Sequence, residues 1–172
     1  MIECRLLLIL NIVFFPVLIL AQGRTHHFLI GYQSAGGLYT THGKGEILFD
    51  STSVTVIGGY RKMSFGATQG NISDENGNLL ISSNGCWIAD ATGDTMQNGS
   101  GLNPNSFTDD YCDSSSGLPL SHGNIILPFP NHPDKYILFH HTGNYNNNLI
   151  STELYYSEID LSLICGLCAV TV

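Results

Sequence analysis

Residues 71–98, NISDENGNLLISSNGCWIADATGDTMQN, decide the fold because they contain the same turn twice. In the first copy an apolar run stops at Asp74, the chain crosses to Gly77, and a second apolar run follows. In the second copy Asp90 and Gly93 hold the equivalent places. This pattern is typical of a β-hairpin, since glycine adopts positive φ at no steric cost. Two hairpins in tandem predict a four-stranded antiparallel meander.

The apolar pattern around these turns predicts the strands of this first meander. They are expected at residues 61–73, 78–83, 86–90 and 94–97. Near Gly70 the alternation slips by one residue, which predicts a β-bulge. Trp87 lies on the opposite face of its strand from Cys86 and Ile88, so both faces of the sheet carry apolar groups. Such a sheet must be covered on both sides, as in a two-layer β fold or between neighbouring propeller blades.

Similar short runs of β-branched and aromatic residues occur before and after this meander. They predict three earlier and four later strands, at residues 28–32, 46–50, 53–57, 123–129, 135–141, 153–159 and 169–172. The later set begins about 55 residues after the first, close to the roughly 50-residue period of kelch blades. The predicted fold is all-β, with tandem four-stranded antiparallel meanders in a β-propeller-like arrangement. Since the sequence stops as the last of these strands begins, we expect an incomplete propeller consisting of its first blades.

Composition excludes several classes of protein. Only 12% of the residues are charged and 43% are hydrophobic, which is not the composition of a disordered tail. Six basic residues stand against fourteen acidic ones, and the net charge is −8. This balance argues against a nucleic-acid partner, because binding to phosphates needs clustered Lys and Arg.

The first 21 residues have the layout of a secretory signal peptide. Arg5 precedes an apolar run over residues 6–20, and Ala21 is the expected cleavage site. The alternative is an uncleaved membrane anchor, although the run is shorter than the roughly 20 residues of a spanning helix. We therefore expect a signal peptide at 1–21 and a β-propeller-like domain at 22–172. After cleavage no membrane span is expected, and the protein would be exported through the periplasm to the outer cell surface or the medium.

Export changes the expected chemistry of the cysteines. Disulfides persist outside the cytoplasm, so Cys86 and Cys112 are a candidate pair that would pin the loop between them. Closing a loop of this length contributes roughly 3 kcal/mol to stability. The alternative is two small buried thiols.

Several segments together resemble one protein family. They are ISDENGNLL (72–80), SSNGCWIAD (82–90), GDTMQNGSGLNP (93–104), NIILPFP (124–130), KYILFHH (135–141) and YYSEIDLSL (155–163). In this order they are similar to the amino-terminal region of large secreted proteins of Bacteroidota. The resemblance covers about residues 60–172 and implies β-propeller-like repeats and a sorting domain for the type IX secretion system. It implies no catalytic residue, and the family is largely uncharacterised.

The CxxC formed by Cys165 and Cys168 has three interpretations. A pair with this spacing suits a redox site or half of a zinc site, but no βαβ pattern and no second CxxC accompany it. The family that this sequence resembles usually has glycines at these two positions. An incidental pair or a local disulfide is the third interpretation.

Acidic residues supply the candidate metal ligands. Asp109, Asp110 and Asp113 form a candidate calcium cluster, with a solvated acidic loop as the alternative. Asp74 also opens a run of oxygen-bearing side chains, but Gly77 stands where a tight turn requires it and not where a calcium loop does. No other cofactor is predicted.

Seven histidines are present, and four of them form two pairs that are adjacent in sequence. His26–His27 and His140–His141 cannot each clamp one ion, because neighbouring side chains of a strand point to opposite faces. Structural or surface roles are therefore expected. The sequence contains no GxSxG motif and no cysteine in a basic setting, so no pattern in it indicates nucleophilic catalysis.

Two classes of function follow from these patterns. The first is an exported, non-enzymatic β-propeller-like scaffold for binding or adhesion, whose partner is an extracellular glycan or protein or further repeats of the same chain. The second is a secreted glycan-active hydrolase whose cleft includes residues 98–120. A truncated fragment without independent function is the remaining alternative.

Overall fold

The computed structural model describes residues 23–32, 43–112, 116–145, 151 and 153–163, together with the backbone of residues 169–171. The predicted signal peptide at 1–21 lies outside the described residues. So do Asp113 of the candidate calcium cluster, Cys165 and Cys168 of the CxxC, and His42.

Eleven strands and one short α-helix form the described part of the chain. A 3-10 turn at Gly23–Thr25 precedes β1 (His27–Ile30), β2 (Gly45–Phe49) and β3 (Val54–Gly58). The first meander consists of β4 (Gly70–Ser73), β5 (Leu79–Ser83), β6 (Trp87–Ala89) and β7 (Thr95–Ser100). Helix α1 (Ser106–Cys112) follows. The second meander consists of β8 (Asn124–Pro128), β9 (Lys135–Thr142), β10 (Glu153–Asp160) and β11 (Ala169–Thr171).

These strands form a small sheet and a large one. The order β1-β2-β3 is antiparallel throughout, and the large sheet has the order β4-β5-β6-β7-β11-β10-β9-β8. Each meander is antiparallel, and a single parallel pairing of Ala169 with Gln97 joins β11 to β7. The all-β prediction is confirmed, and each predicted strand except the first of the first meander lies within three residues of its observed limits.

The two predicted turns form with matching hydrogen bonds. In the first turn the Asp74 amide donates to Asn78 O at 2.8 Å and the Gly77 amide to Asp74 O at 3.1 Å. In the second turn the Asp90 amide donates to Asp94 O and the Gly93 amide to Asp90 O, both at 3.0 Å. The φ angles of Gly77 and Gly93 are 87° and 85°, a region that side chains with a Cβ rarely adopt. The repeated hairpin is confirmed.

Both faces of the first meander are buried, as its sequence predicts. On one face Ile81 and Ile88 pack against Leu138 and Ile159 of the second meander, all four with no exposed surface. The opposite face packs its half-buried Trp87 and its buried Ala89 with Leu29 of β1 and with Met63 and Phe65. Cys86 precedes the strand, which begins at Trp87. The first meander is thus the middle layer of the molecule.

The predicted first strand, residues 61–73, is wrong over its first nine residues, because β4 begins at Gly70. Other groups occupy the backbone of this segment. Arg61 Nε donates to Met63 O at 3.1 Å, Asn84 Nδ2 donates to Ser64 O at 3.0 Å, and the Thr68 amide donates to Leu118 O at 2.9 Å. Because its backbone N–H and C=O groups already have these hydrogen-bond partners, the segment does not require a neighbouring β-strand. The irregularity in register falls between Ile72 and Ser73, not at Gly70.

Arg61 connects the small sheet to this segment. Its guanidinium donates to the carbonyls of Ile30 and Gly45, the latter at 2.8 Å, and lies 4.7 Å above the Phe65 ring. Burial lowers the pKa of Arg61 to about 10. The end of β1 and the start of β2 are therefore held against the segment that contains Met63 and Phe65 by one half-buried cation.

A fully buried histidine lies in the second meander. His140 Nδ1 is 2.8 Å from Asn103 Oδ1, and its Nε2 is 3.0 Å from Ser157 Oγ. Since Asn103 Nδ2 donates to Gly85 O at 3.0 Å, its Oδ1 must accept, so Nδ1 of His140 carries the proton. Burial, helped by the charge of His141, lowers the pKa of His140 from 6.5 to about 4.

This shift predicts that acid destabilises the protein. The unfolded chain binds a proton at His140 near pH 6.5, whereas the folded protein binds it only near pH 4. The free energy of unfolding should be fully maintained above pH 6.5 and should fall by about 3 kcal/mol as the pH is lowered towards 4. Urea unfolding at several pH values measures this slope. His140→Gln should flatten it between pH 6.5 and 4, and exposed His132→Gln should leave it unchanged; equal slopes in both variants would contradict the assignment.

The described residues of the connection between the meanders pack against the first meander, although the sequence of the connection is mostly polar. A disulfide joins Cys86 and Cys112, with Cα atoms 5.4 Å apart and a sequence separation of 26. Buried Phe107, Leu118 and Leu120 pack with Cys86. Helix α1 begins after Asn105, whose Oδ1 accepts from the Thr108 amide at 2.8 Å. The sequence did not predict this helix, because seven residues are too few to show a helical period.

Loss of the disulfide should destabilise the fold and loosen this connection. Replacing both Cys86 and Cys112 with Ala should lower the free energy of unfolding by about 3 kcal/mol, the contribution of closing a loop of this length. Chemical denaturation measures the loss, and limited proteolysis should show faster cleavage within residues 101–117. Treating the unchanged protein with a reductant should reproduce both effects, and an unchanged midpoint after either treatment would contradict the prediction.

Candidate functional site

Two of the three predicted calcium ligands lie on helix α1. Asp109 and Asp110 are both exposed. The Tyr145 hydroxyl donates to Asp110 Oδ2 at 2.7 Å, and this hydrogen bond raises the pKa of Tyr145 to about 12. Within the described ranges, no group of three or more His, Cys, Asp or Glu residues could hold a metal ion. With Asp113 outside those ranges, the calcium cluster stays a prediction.

The carboxylate of Asp74 is occupied by its own turn. Its Oδ1 accepts from the amides of Asn76 and Asn78 at 2.8 Å each, and its Oδ2 accepts from Asn78 Nδ2 at 2.9 Å. The hydrogen bonds from Asn78 are the largest cause of the lowered pKa of Asp74. The turn interpretation accounts for every one of these contacts.

The histidines of each adjacent pair have different surroundings. His140 is buried, whereas His141 is half-buried and has its Nε2 3.3 Å from His122 O. In the other pair, His27 Nδ1 lies 2.9 Å from Glu46 Oε2. The side chains of His140 and His141 thus point to opposite faces of β9, as expected for neighbours in a strand.

Ser157, His140 and Asn103 form a chain that resembles a nucleophile, a base and an orienting amide. In a catalytic site of this kind the serine must be reachable by substrate. Ser157 and Asn103 have no exposed surface, and His140 is 1% exposed. The three residues are therefore a structural network of the core, which sequence spacing could not have assembled.

A cleft separates the small sheet from the large one. Its volume is about 580 Å³, within the usual range for small-ligand sites. One wall consists of Thr25, His27, Phe28 and Phe49, from the 3-10 turn, the start of β1 and the end of β2. The other wall consists of residues 69–71 and 124–126, where β4 and β8 lie side by side.

The amide of Asn71 holds the two walls of the cleft together. Its Oδ1 accepts from the Leu29 amide at 3.1 Å and from Gln69 Nε2, and its Nδ2 donates to His27 O at 2.8 Å. Both the oxygen and the nitrogen of its amide therefore have partners within the protein. Asn71 fixes the distance between β1 and β4 and hence the width of the cleft.

Asn124 is different because half of its amide has no partner. The side chain is 8% exposed, and its Nδ2 donates to Ser83 O at 3.0 Å, which fixes the orientation of the amide. Its Oδ1 is buried without a hydrogen bond. That oxygen lies beside Gly70, where a Cβ would come within 2.3 Å of it. A buried acceptor of this kind costs about 1–3 kcal/mol unless something donates to it.

Exposed apolar side chains border the cleft. Phe28 is 45% exposed, Phe49 is 42% exposed and Ile125 is 53% exposed. No Lys, Arg, Asp or Glu is among the lining residues, and the imidazole of His27 is paired with Glu46. The cleft therefore combines neutral hydrogen-bonding groups at its wall with apolar surface at its rim.

A second hollow, of about 630 Å³, shares Thr25 and Phe49 with this cleft. Its acidic groups are engaged within the protein: Asp50 Oδ1 accepts from the Thr52 and Ser53 amides, and Glu75 Oε1 pairs with Arg24 at 3.2 Å. The sequence pointed to neither, because their walls come from segments distant in the chain.

No helix among the described residues is long and apolar enough to span a membrane. Comparison with protein-family models, with curated proteins and with solved structures finds no match to this chain.

Proposed function

We propose that this chain is an exported, non-enzymatic scaffold of β-propeller-like architecture that binds an extracellular glycan or protein. The observation that carries the proposal is the layering of its meanders. The first meander is covered on both faces, and the second is covered on the face that carries Leu138 and Ile159. In a propeller-like array every meander face would meet a neighbour of the same kind.

The outer face of the second meander supports this arrangement. Ile125, Phe139 and Tyr156 are aligned across β8, β9 and β10. Tyr156 is 58% exposed, and Leu154, opposite His141, is 72% exposed. An apolar face of this extent marks an interaction surface. A further four-stranded meander of the same kind, or the binding partner itself, would cover it.

The hydrolase alternative has less support. It depends on the acids of residues 98–120 lining a cleft, but Asp109 and Asp110 are exposed on a short helix and Asp110 is engaged by Tyr145. Glycoside hydrolysis requires two carboxyl groups facing each other across the substrate. The cleft at Asn124 contains no carboxylate among its lining residues.

Replacing apolar residues of the outer face should change surface properties without unfolding the protein. Ile125→Lys combined with Tyr156→Lys should lower the binding of a hydrophobic dye about threefold, since both side chains are already half-exposed. The melting temperature should change by less than about 3 °C. The matched control is Leu138→Lys on the buried face of β9, which should prevent folding. Undiminished dye binding would show that this face is not the exposed apolar surface of the protein in solution.

Export can be tested separately. A reporter fused after residue 30 should reach the periplasm of a bacterial host, because the first 21 residues have the layout of a signal peptide. Mass spectrometry of the processed protein should find Gln22 at its amino terminus. Deleting residues 2–21 should retain the reporter in the cytoplasm. Periplasmic delivery of the deletion variant would contradict the assignment.

A further inference from the structure

We infer that strand β3 (Val54–Gly58) pairs edge to edge with the same strand of a second copy of this chain, antiparallel and centred on Val56. The pairing joins two small sheets into one six-stranded sheet. Three features carry this inference: the free hydrogen-bonding groups of β3, the lack of any protection of its edge, and the charges beyond its two ends. The dimer is independent of the ligand binding proposed above.

The small sheet has one open edge. Strand β3 lies at the end of the order β1-β2-β3 and, among the described residues, pairs only with β2. At one end of this pairing the Asp50 amide donates to Ser53 O, and at the other end the Gly59 amide donates to Lys44 O, both at 3.1 Å. These two bonds show which residues face β2, because bonded and non-bonded positions alternate along an antiparallel pair.

Every second residue of β3 therefore faces outward. Alternation from Ser53 to Gly59 directs the odd-numbered residues of this stretch towards β2. The backbone N–H and C=O groups of Val54, Val56 and Gly58 point away from it. All five residues of the strand are exposed, and Val56 is 69% exposed. A row of free donors and acceptors of this kind is a template for one more strand.

The opposite edge of the small sheet is already covered. The Asn71 side chain accepts from the Leu29 amide at 3.1 Å and donates to His27 O at 2.8 Å, so it occupies the groups that a further strand would use. The edges of the large sheet, β4 and β8, lie side by side. A copy that pairs through β3 thus offers no second open edge of the small sheet, and the assembly closes as a two-fold dimer.

The sequence of β3 lacks the features that normally keep an edge strand from pairing. Residues 51–60, STSVTVIGGY, contain no charged residue and no proline. β3 also pairs with β2 over five successive positions without a bulge. Edge strands that remain unpaired are usually protected by lysine, proline, a bulge or a covering segment. An edge without these features is suited to a partner strand.

Charges beyond the ends of β3 favour an antiparallel pairing. Asp50 lies six residues before Val56, and Lys62 lies six residues after it. Lys62 pairs with Asp94 of its own chain, but its side chain is still 63% exposed. When two copies pair antiparallel about Val56, the acidic end of each strand lies beside the basic end of the other. Parallel pairing would place like charges together.

This register places Val56 on the two-fold axis, opposite its own equivalent. Val54 then lies opposite Gly58 of the second copy, where a Cβ would meet no atom within 4 Å. All three of these residues have outward backbone groups. Three residue pairs with two bonds each give about six hydrogen bonds between the copies.

Self-association of the purified chain is the first measurement. Sedimentation velocity should show a reversible monomer–dimer equilibrium with a Kd of about 10–100 µM, since a single pair of short strands forms a small interface. Amide hydrogen exchange then locates the interface. Well above the Kd, the outward amides of Val54, Val56 and Gly58 should exchange at least about tenfold more slowly than in the monomer. The amides of Thr55 and Ile57 face β2 and should not change.

Charge at position 56 tests the symmetry axis. Val56→Lys and Val56→Glu each place two like charges opposite each other and should weaken dimerisation at least about tenfold. An equimolar mixture of these variants should dimerise again, because opposite charges then face each other. Val54→Lys is the matched control, on the same face of the same strand and 62% exposed. Because Val54 lies opposite Gly58, this variant should dimerise within about threefold of the unchanged chain.

Several outcomes would overturn the inference: a monomer at every concentration, a dimer that Val56→Lys does not weaken, equal weakening by Val54→Lys, or growth beyond the dimer. Protection of the outward amides at every concentration would show that a segment of the same chain covers the edge. A monomer in which only an added valine-rich peptide protects these amides would show that the edge takes a different partner. The export test and the outer face of the second meander are unaffected by any of these results.

Discussion

The burial of both faces of the first meander is the constraint on which the remaining structure depends. Ile81 and Ile88 on one side have no exposed surface, and Ala89 on the other side has none either. A sheet that is apolar on both faces is stable only between two other layers. The second meander supplies one layer. The small sheet, together with Met63 and Phe65, supplies the other, and the cleft at Asn124 lies where these two outer layers approach each other.

Much of this architecture could be predicted from local sequence. The two Asp-to-Gly turns specify their hairpins because one carboxylate and one positive φ determine each turn, and both lie within a few residues. The strands of the second meander show regular alternation and fall where the pattern places them. Trp87 and Ile88 on opposite faces were enough to predict a layered fold. The sequence was therefore sufficient to predict the turns and strands that are determined by residues close together in the chain.

The remainder depends on contacts between residues distant in the chain. The backbone around Met63 is not a strand because Arg61, Asn84 and residues near Leu118 occupy its polar groups, and no window of sequence shows that competition. The network of Ser157, His140 and Asn103 joins three segments, and the cleft at Asn124 is lined by four. Asp109 and Asp110, two of the acids singled out in the sequence, are instead exposed on a helix too short to be anticipated. A buried amide produces no periodic pattern in the sequence. A search of the sequence for site residues therefore selects acids and cysteines and misses buried amides.

The position of β11 has a consequence for how the protein is made. This strand is the last of the described elements in sequence, but it lies between β7 and β10 in the middle of the large sheet. The first hairpins can form as soon as they leave the ribosome, because their contacts are local. The edges of β7 and β10 must wait for a segment synthesised about 70 and 10 residues later, respectively, and unpaired edges invite pairing with other chains. Translation speed and chaperones that cover unpaired strand edges would therefore influence the yield of folded protein.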